Sequence, residues 1–374
     1  VEVCEVSDWE ITVDELRRLL ERGEGIALWD VRSAEDRREW FIPGSVHWDV
    51  DALLRSGDVS ALENWYAPAG LPVVVVCNRG RTSGSVVEWL RKREISAFSL
   101  RGGMQAWSLA WNLAEVPWDD GAVRVLQVRR TGKGCLSYFV ASGGEAAVID
   151  PSVEPDVYLD LAERRGWRIT RVLDTHVHAD HISRSRALAR ATGADLHLPE
   201  QKRVKFAFSS LKDRETVKVG QVTLEILATP GHTFESACYL LEGKALFTGD
   251  TLFLDGVGRP DLAAEGEEET RARAALLYHS LRRIAGLPRG TLVLPGHTAS
   301  PVPFDGEPLV ASLGEVLERV ELLELAEEDF VQRIMSRMPS PPANHWEIVR
   351  LNEEGRSVDD PAVLEAGANR CAVT

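Results

Sequence analysis

Thr175-His176-Val177-His178-Ala179-Asp180-His181 is the stretch on which the reading of this chain turns. Three histidines and one aspartate fall within six consecutive positions, just after the strand-like run Arg171-Val172-Leu173. Imidazole and carboxylate together suit zinc, iron or manganese. Three further candidates each follow a glycine: Gly231-His232, Gly249-Asp250 and Gly296-His297. Glycine lets the backbone turn sharply at a strand end and brings the next side chain toward a common point. A lone histidine is ordinarily a surface or satisfied core residue, whereas an ordered set of this density reads as a metal centre.

The 374 residues are enough for two ordinary domains with an appendage. A hydrophobic fraction of 44% is that of a globular protein. The formal net charge of -15 argues against a nucleic-acid partner, which needs a cationic face. No apolar run approaches the roughly 20 residues of a membrane span, and Val1 to Glu10 lacks the apolar core of a signal peptide. Cys4, Cys77, Cys135, Cys238 and Cys371 are scattered and odd in number. This argues against a disulfide framework and for a reducing, cytoplasmic setting. Apart from Cys77, they read as small buried hydrophobes.

The first third alternates strand and helix patterns and predicts an α/β domain with a parallel sheet over 1–115. Gly25 to Val31 and the four-valine run in Leu71 to Val76 read as strands, and Ser83 to Arg93 as a helix. Asn112 to Gly121 reads as a linker. A second domain over 122–308 opens with the short strands Val123–Val128, Leu136–Ala141 and Ala146–Ile149. Helices follow at Asp156–Arg165 and Ser183–Thr192, then strands at Thr223–Leu227, Ala237–Leu241 and Leu246–Thr248. An extension over 309–374 carries helical patterns at Leu309–Arg319 and Glu321–Met335. Its apolar spacing fits packing on the second domain or a homo-oligomer contact, with core packing the default.

The order His-x-His-x-Asp-His, then His232, Asp250 and His297, resembles the metallo-β-lactamase superfamily from about Val123 to His297. That resemblance implies an αββα sandwich, with Asp150 as a supporting group. Two chemistries of the superfamily fit these residues. In a glyoxalase II-like dinuclear zinc thioesterase, His176, His178 and His232 would hold one metal, and Asp180, His181 and His297 the other, with Asp250 bridging. Metal-bound water of pKa about 7 would be the nucleophile. In a persulfide dioxygenase, one Fe(II) per chain would sit on His176, His232 and Asp250, leaving positions for O2 and a persulfide sulfur. His178, Asp180, His181 and His297 would then orient the ligands. The run Gly258-Arg259-Pro260-Asp261 resembles the dioxygenases, where the arginine contacts the carboxylate of the thiol carrier. Ala299 stands where glutathione users carry a tyrosine, which points to another low-molecular-weight thiol or a protein persulfide. The segments Pro341-Pro342-Ala343-Asn344 and Arg350-Leu351-Asn352 resemble the tail of bacterial members, with no physical role evident from sequence.

In the first domain Cys77 follows the valine strand and opens the loop Cys77-Asn78-Arg79-Gly80-Arg81-Thr82-Ser83. Loop N–H groups, a helix N-terminus and the positive charge of Arg79 and Arg81 should stabilise a thiolate relative to a free thiol of pKa about 8.5. With Asp30-Val31-Arg32, Ile42-Pro43-Gly44-Ser45-Val46-His47 and Leu100-Arg101-Gly102-Gly103-Met104-Gln105-Ala106-Trp107, the stretch from Thr12 to Trp111 resembles the rhodanese family. The resemblance implies that Cys77, in a catalytic loop with Arg79, Arg81 and Thr82, accepts sulfane sulfur as a persulfide from a donor such as thiosulfate. A related phosphatase would need arginine where Ser83 stands. The fusion therefore suggests coupled sulfur chemistry: persulfide formation at Cys77, and oxidation of a persulfide by O2 to sulfite and thiol at the metal centre.

Overall fold

The computed structural model describes residues 9–50, 70–118, 121–342 and 344–374; Cys4 and Ala343 lie outside them. Five parallel strands form the first sheet: β1 (Glu10–Ile11), β2 (Ala27–Asp30), β3 (Val46–His47), β4 (Val73–Val76) and β5 (Ala97–Leu100). Their spatial order is β1-β5-β4-β2-β3. β4 is four consecutive buried valines. A parallel strand covered on both faces has no solvent side, so its sequence does not alternate. The helix Arg81–Arg91 begins two residues earlier than the sequence suggests and buries Val86, Val87 and Leu90 against this sheet.

The expected linker is a strand. β6 (Asn112–Val116) pairs antiparallel with β7 (Val123–Arg130) and forms an edge of the second domain's first sheet. It buries Asn112, Ala114 and Val116 in alternation, while Glu115 faces solvent. β8 (Cys135–Ser142), β9 (Glu145–Ile149), β10 (Arg168–Leu173), β11 (Asp195–Pro199) and β12 (Ser209–Leu211) complete the sheet, in the order β12-β11-β10-β9-β8-β7-β6. The facing sheet contains β13 (Thr216–Val219), β14 (Val222–Ala228), β15 (Ala237–Leu241) and β16 (Ala245–Gly249). Beyond β17 (Val257–Gly258), which lies outside it, β18 (Leu292–Pro295) and β19 (Ala311–Ser312) finish its edge.

Tyr138, Val140, Ile149 and Leu173 of one sheet pack against Leu224, Ile226, Tyr239 and Phe247 of the other. The helices Pro155–Arg165 and Ser185–Thr192 cover the outer face of the first sheet through Tyr158, Leu161 and Leu188. Glu267–Ala285, Leu313–Arg319 and Glu327–Arg337 cover the second through Leu277, Val316, Phe330 and Ile334. This is the αββα sandwich, and the C-terminal helices are part of its outer layer. The first of them starts four residues later than expected because Ser312 and Glu315 form a reciprocal N-terminal cap. Between the two helices Glu321–Glu324 is a short 3₁₀ turn. Among the described residues no helix is long and apolar enough to cross a membrane.

The two domains meet at Arg130–Gly134, the turn between β7 and β8. The Trp40 indole N–H donates to the Thr131 carbonyl at 3.3 Å, and Arg130 Nε donates to the Ser108 carbonyl at 2.7 Å. A Cβ on Gly132 would lie 1.8 Å from the Trp107 carbonyl oxygen, so only glycine permits this approach.

The C-terminal segment folds back over the metal domain. Fully buried Glu365 bonds Arg130 at 2.7 Å and Arg184 at 2.6 Å, and accepts the Ile182 N–H at 2.7 Å. Asn352 Nδ2 donates to the carbonyls of His178 and His181 at 2.8 and 2.9 Å, while its Oδ1 accepts the Ser183 N–H at 2.9 Å. The Arg350-Leu351-Asn352 motif thus gains a physical role: it braces the histidine loop. The last strand, β20 (Ala372–Val373), pairs antiparallel with β17.

Two outcomes follow. Gly132→Ala forces the domain junction apart and lowers the thermal or urea midpoint by an amount corresponding to about 1–3 kcal/mol; a variant indistinguishable from wild type would contradict the contact. For Glu365, burial opposes ionisation, but Arg130 and Arg184 outweigh it and hold the carboxyl down at about 2, against an ordinary 4.5. A depressed folded-state value stabilises above 4.5 and fades as pH falls toward 2. Glu365→Gln takes the countercharge from buried Arg130, leaves Arg184 with a 3.5 Å contact to the exposed Glu154 carboxylate, and costs about 3–5 kcal/mol near neutral pH. The gap to wild type in denaturant titrations should close through that acid window, and a constant gap would exclude the pairing.

Candidate metal centre and thiol loop

Each expected ligand sits just beyond or at the end of a strand, and all are buried. The His176–His181 loop follows β10, His232 follows β14, Asp250 directly follows β16 and His297 follows β18. The glycines beside them allow close approach. A Cβ on Gly249, at φ +48°, would lie 2.4 Å from Thr175 Oγ1; on Gly231, at φ +149°, it would lie 2.4 Å from the Leu277 backbone.

Five polar atoms of the expected ligands are buried without a hydrogen-bond partner, and three of them, His176 Nε2, His232 Nε2 and Asp250 Oδ2, belong to one cluster. The two nitrogens lie 3.9 and 3.6 Å from that oxygen. Their neighbours fix the tautomers. The Thr175 hydroxyl donates to Asp150 Oδ2 at 2.8 Å, so it accepts the His176 Nδ1–H at 2.9 Å. His232 Nδ1–H donates to the Arg259 carbonyl at 2.7 Å. Each far nitrogen therefore carries a lone pair aimed at the same point. Burial holds both imidazoles below their ordinary range, and the neutral form is the one that ligates a metal. Two imidazole nitrogens and one carboxylate oxygen, unpartnered and convergent, fit a divalent metal ion.

The remaining expected residues bond chiefly to one another. His297 bridges two carboxylates, with Nδ1 on Asp250 Oδ1 at 2.5 Å and Nε2 on Asp180 Oδ2 at 2.8 Å. Against burial, those carboxylates raise its pKa well above the ordinary value. His181 Nδ1 lies 3.1 Å from Asp180, leaving Nε2 without a partner. His178 Nε2 lies 3.3 Å from Asp150 Oδ1 and 3.9 Å from Asp174, away from the three-atom cluster, with Nδ1 unpartnered.

Two cysteines read from the sequence as apolar filler belong to this surrounding. Cys135 Sγ is 3.3 Å from Asp180 Oδ2 and 3.9 Å from His181 Nδ1. Burial and Asp180 oppose its ionisation, yet His181 and His297 bring the thiol down to about 7. Cys371 groups with Asp250 and His297, their ligand atoms lying within 4.8 Å of one another. Neither cysteine has a neighbouring motif that betrays this placement. Cys238, fully buried among apolar side chains, fits the filler reading.

Arg259 requires a correction. Its guanidinium is fully buried and forms a two-point pair with Asp261, both contacts at 2.7 Å. It also donates to the carbonyls of Pro339, Ser340 and Arg370 at 2.6, 3.4 and 3.0 Å. Its donors are committed inside the protein, so none remains for a carrier's carboxylate.

In the first domain Cys77 Sγ accepts the Gly80 N–H at 3.0 Å and lies 3.2 Å from Ser83 Oγ. Arg79 and Arg81 are exposed at the loop rim, and Thr82 is half-buried on the helix that starts there. The loop rests on the Gly102-Gly103 turn: Met104 N–H donates to the Cys77 carbonyl at 2.8 Å, and a Cβ on Gly103 would approach that oxygen to 2.2 Å. Arg32, paired with Asp30 at 2.8 Å, reaches the Trp40 carbonyl at 2.5 Å and so links this domain's interior to the junction.

Residues 130–297 match the Metallo-beta-lactamase superfamily, and residues 12–110 match the Rhodanese-like domain. A hydroxyacylglutathione hydrolase from Methylococcus capsulatus is 36% identical over 200 residues, covering 52% of this chain and 74% of that protein. One from Rhodospirillum rubrum is 36% identical over 157 residues, covering 41% of this chain and 57% of that protein. Among solved structures, ETHE1 from Myxococcus xanthus aligns with a TM-score of 0.54 and 32% identity, over 62% of this chain and 98% of that one. A metallo-beta-lactamase from Staphylococcus aureus aligns with a TM-score of 0.58 and 27% identity, over 64% of this chain and 75% of that one. With its sandwich, ordered ligand set and these likenesses, the chain belongs to the metallo-beta-lactamase superfamily and carries a rhodanese-like domain ahead of the metal domain.

Proposed function

We propose that this protein is a cytoplasmic non-haem Fe(II) persulfide dioxygenase joined to a sulfurtransferase domain. It takes a thiol persulfide and O2 to sulfite and thiol, and Cys77 carries sulfane sulfur as a persulfide. The observation that carries the reading is the set of three unpartnered buried atoms, His176 Nε2, His232 Nε2 and Asp250 Oδ2. Its complement is His297, whose two nitrogens are already bonded to Asp180 and Asp250. Iron held by these two imidazoles and one carboxylate would supply redox chemistry toward O2 and a sulfur anion. Thr175 and the Arg259 carbonyl keep the two imidazoles in their ligating tautomers. His297 holds Asp250 by one oxygen and leaves the other free. In the first domain the Gly80 N–H and the Ser83 hydroxyl face the sulfur that receives the sulfane atom.

A second reading keeps support from a specific source. The relatives named hydroxyacylglutathione hydrolase favour a dinuclear thioesterase, and the unpartnered His178 Nδ1 and His181 Nε2 are two more nitrogens for it. It requires His297 to exchange a carboxylate contact for a metal.

The two readings separate on protein purified without air. The dioxygenase contains one iron per chain and consumes O2 with a small-thiol persulfide. His232→Ala loses both the iron and the uptake, by about 100-fold or more. With thiosulfate as the sulfur source, Cys77→Ser abolishes uptake. Two metals per chain, thioester cleavage and no O2 uptake would establish the hydrolase instead.

A further inference from the structure

We propose that Cys371 is the thiol that carries sulfane sulfur to the metal centre, so that the protein's own C-terminal strand supplies the persulfide to be oxidised. The proposal rests on the dioxygenase reading and names its carrier. Cys371 is 1% exposed and immediately precedes β20. It groups with Asp250 and His297 within 4.8 Å, and Asp250 is one of the three convergent metal-facing residues.

Its position is fixed from both sides. The Cys371 N–H donates to Asn369 Oδ1 at 3.0 Å, and Asn369 Nδ2 in turn donates to Asp180 Oδ2 at 3.3 Å. The Cys371 carbonyl accepts the Arg259 N–H at 2.9 Å. The Arg259 guanidinium holds the carbonyl of Arg370. The residue expected to grip a soluble carrier thus anchors the strand that brings a thiol to the site. The other side of Cys371 is apolar, made by Val177, Ala179, Phe253, Leu262 and Val349. A buried filler gains nothing from lying beside charged ligand groups, whereas a sulfur that must face the metal gains both proximity and a dry surrounding. A cleft of about 310 Å³ adjoins this strand at the domain junction, lined by Arg38, Ala299, Arg337, Asn369 and Arg370. Glu39 also lines it and pairs with Arg370, which leaves Arg38 and Arg337 as the cations for an anionic sulfur donor.

The transfer conserves atoms and charge. The Cys371 sulfur attacks the outer sulfur of a donor persulfide, the donor's S–S bond breaks, and the donor thiol leaves with the Cys371 proton. The persulfide on Cys371 then reacts with one O2 and one water to give sulfite, two protons and the restored thiol; O2 is the oxidant and the outer sulfur is oxidised. The donor is a persulfide, borne either by Cys77 or by a small thiol.

The test uses the full-length iron-loaded protein, without air and without soluble thiol. Thiosulfate is added in one arm and a small-thiol persulfide in the other, and peptides are weighed after alkylation. The Cys371 peptide should gain one sulfur, about 32 Da, and lose it when O2 is admitted. If Cys77→Ser blocks labelling by thiosulfate alone, Cys77 is the donor to Cys371. A Cys371 peptide unmodified in both arms would overturn the proposal. O2 uptake on the small-thiol persulfide alongside an unlabelled Cys371 removes the carrier and keeps the dioxygenase; a labelled Cys371 that O2 never discharges does the reverse. In Cys371→Ser with iron content matched to wild type, thiosulfate-driven O2 uptake should fall about tenfold or more; undiminished uptake would also overturn it.

Discussion

The metal-facing lone pairs of His176 and His232 exist because the other nitrogen of each ring is committed to an acceptor. Thr175, itself turned by Asp150, takes one proton, and the Arg259 carbonyl takes the other. His297 does the converse for Asp250, occupying one carboxylate oxygen and leaving the second bare. Much of the chain's architecture serves these contacts. Gly249 lets Thr175 come close, Asn352 ties down the histidine loop from a distant helix, and Glu365 joins Arg130 of β7 to Arg184 beyond the loop. Unpaired polar atoms in a dry interior are costly. Three of them aimed at one point are explained by an ion that completes their bonding.

The C-terminal segment is an integral part of the site. It forms part of the outer layer of the sandwich through Phe330 and Ile334, braces the ligand loop with Asn352, neutralises buried arginines with Glu365 and places Cys371 beside Asp250. Arg259 unites these functions, since its backbone orients His232 and holds Cys371 while its side chain clasps the tail. The thiol-loop domain is joined just as closely, through Trp40 and the glycine-only contact at Gly132. Cys135, which opens β8 directly after that turn, belongs to the cluster of Asp180, His181 and His297. The rhodanese-like domain therefore rests on the structural element that enters the metal site.

Much of this was legible in the sequence, for reasons that are local. The valine run of β4, the Cys77 loop and the His176–His181 loop declare themselves because short segments carry the needed residue types in order. β6 reads as a linker because its alternation spans only five residues before Pro117, a length at which a strand and a linker look alike. The late start of the Leu313–Arg319 helix is set by the Ser312–Glu315 capping pair, which outweighs the apolar spacing that begins at Leu309. The motif around Arg259 gives the residue type and leaves out which partner reaches it first, here Asp261 and the tail carbonyls. Cys135 and Cys371 read as filler because their neighbours are distant in sequence: Asp180 and His181 for one, Asp250 and His297 for the other. Long-range placement of this kind leaves no trace in spacing.

The most direct test of the central claim is a crystal structure of the iron-loaded protein, grown without air and measured with anomalous scattering at the iron edge. The account predicts one strong peak per chain, bounded by His176 Nε2, His232 Nε2 and Asp250 Oδ2, with His297 still bonded to Asp180. A second peak of comparable strength among Asp180, His181 and His297 would contradict it and return the protein to the dinuclear hydrolases.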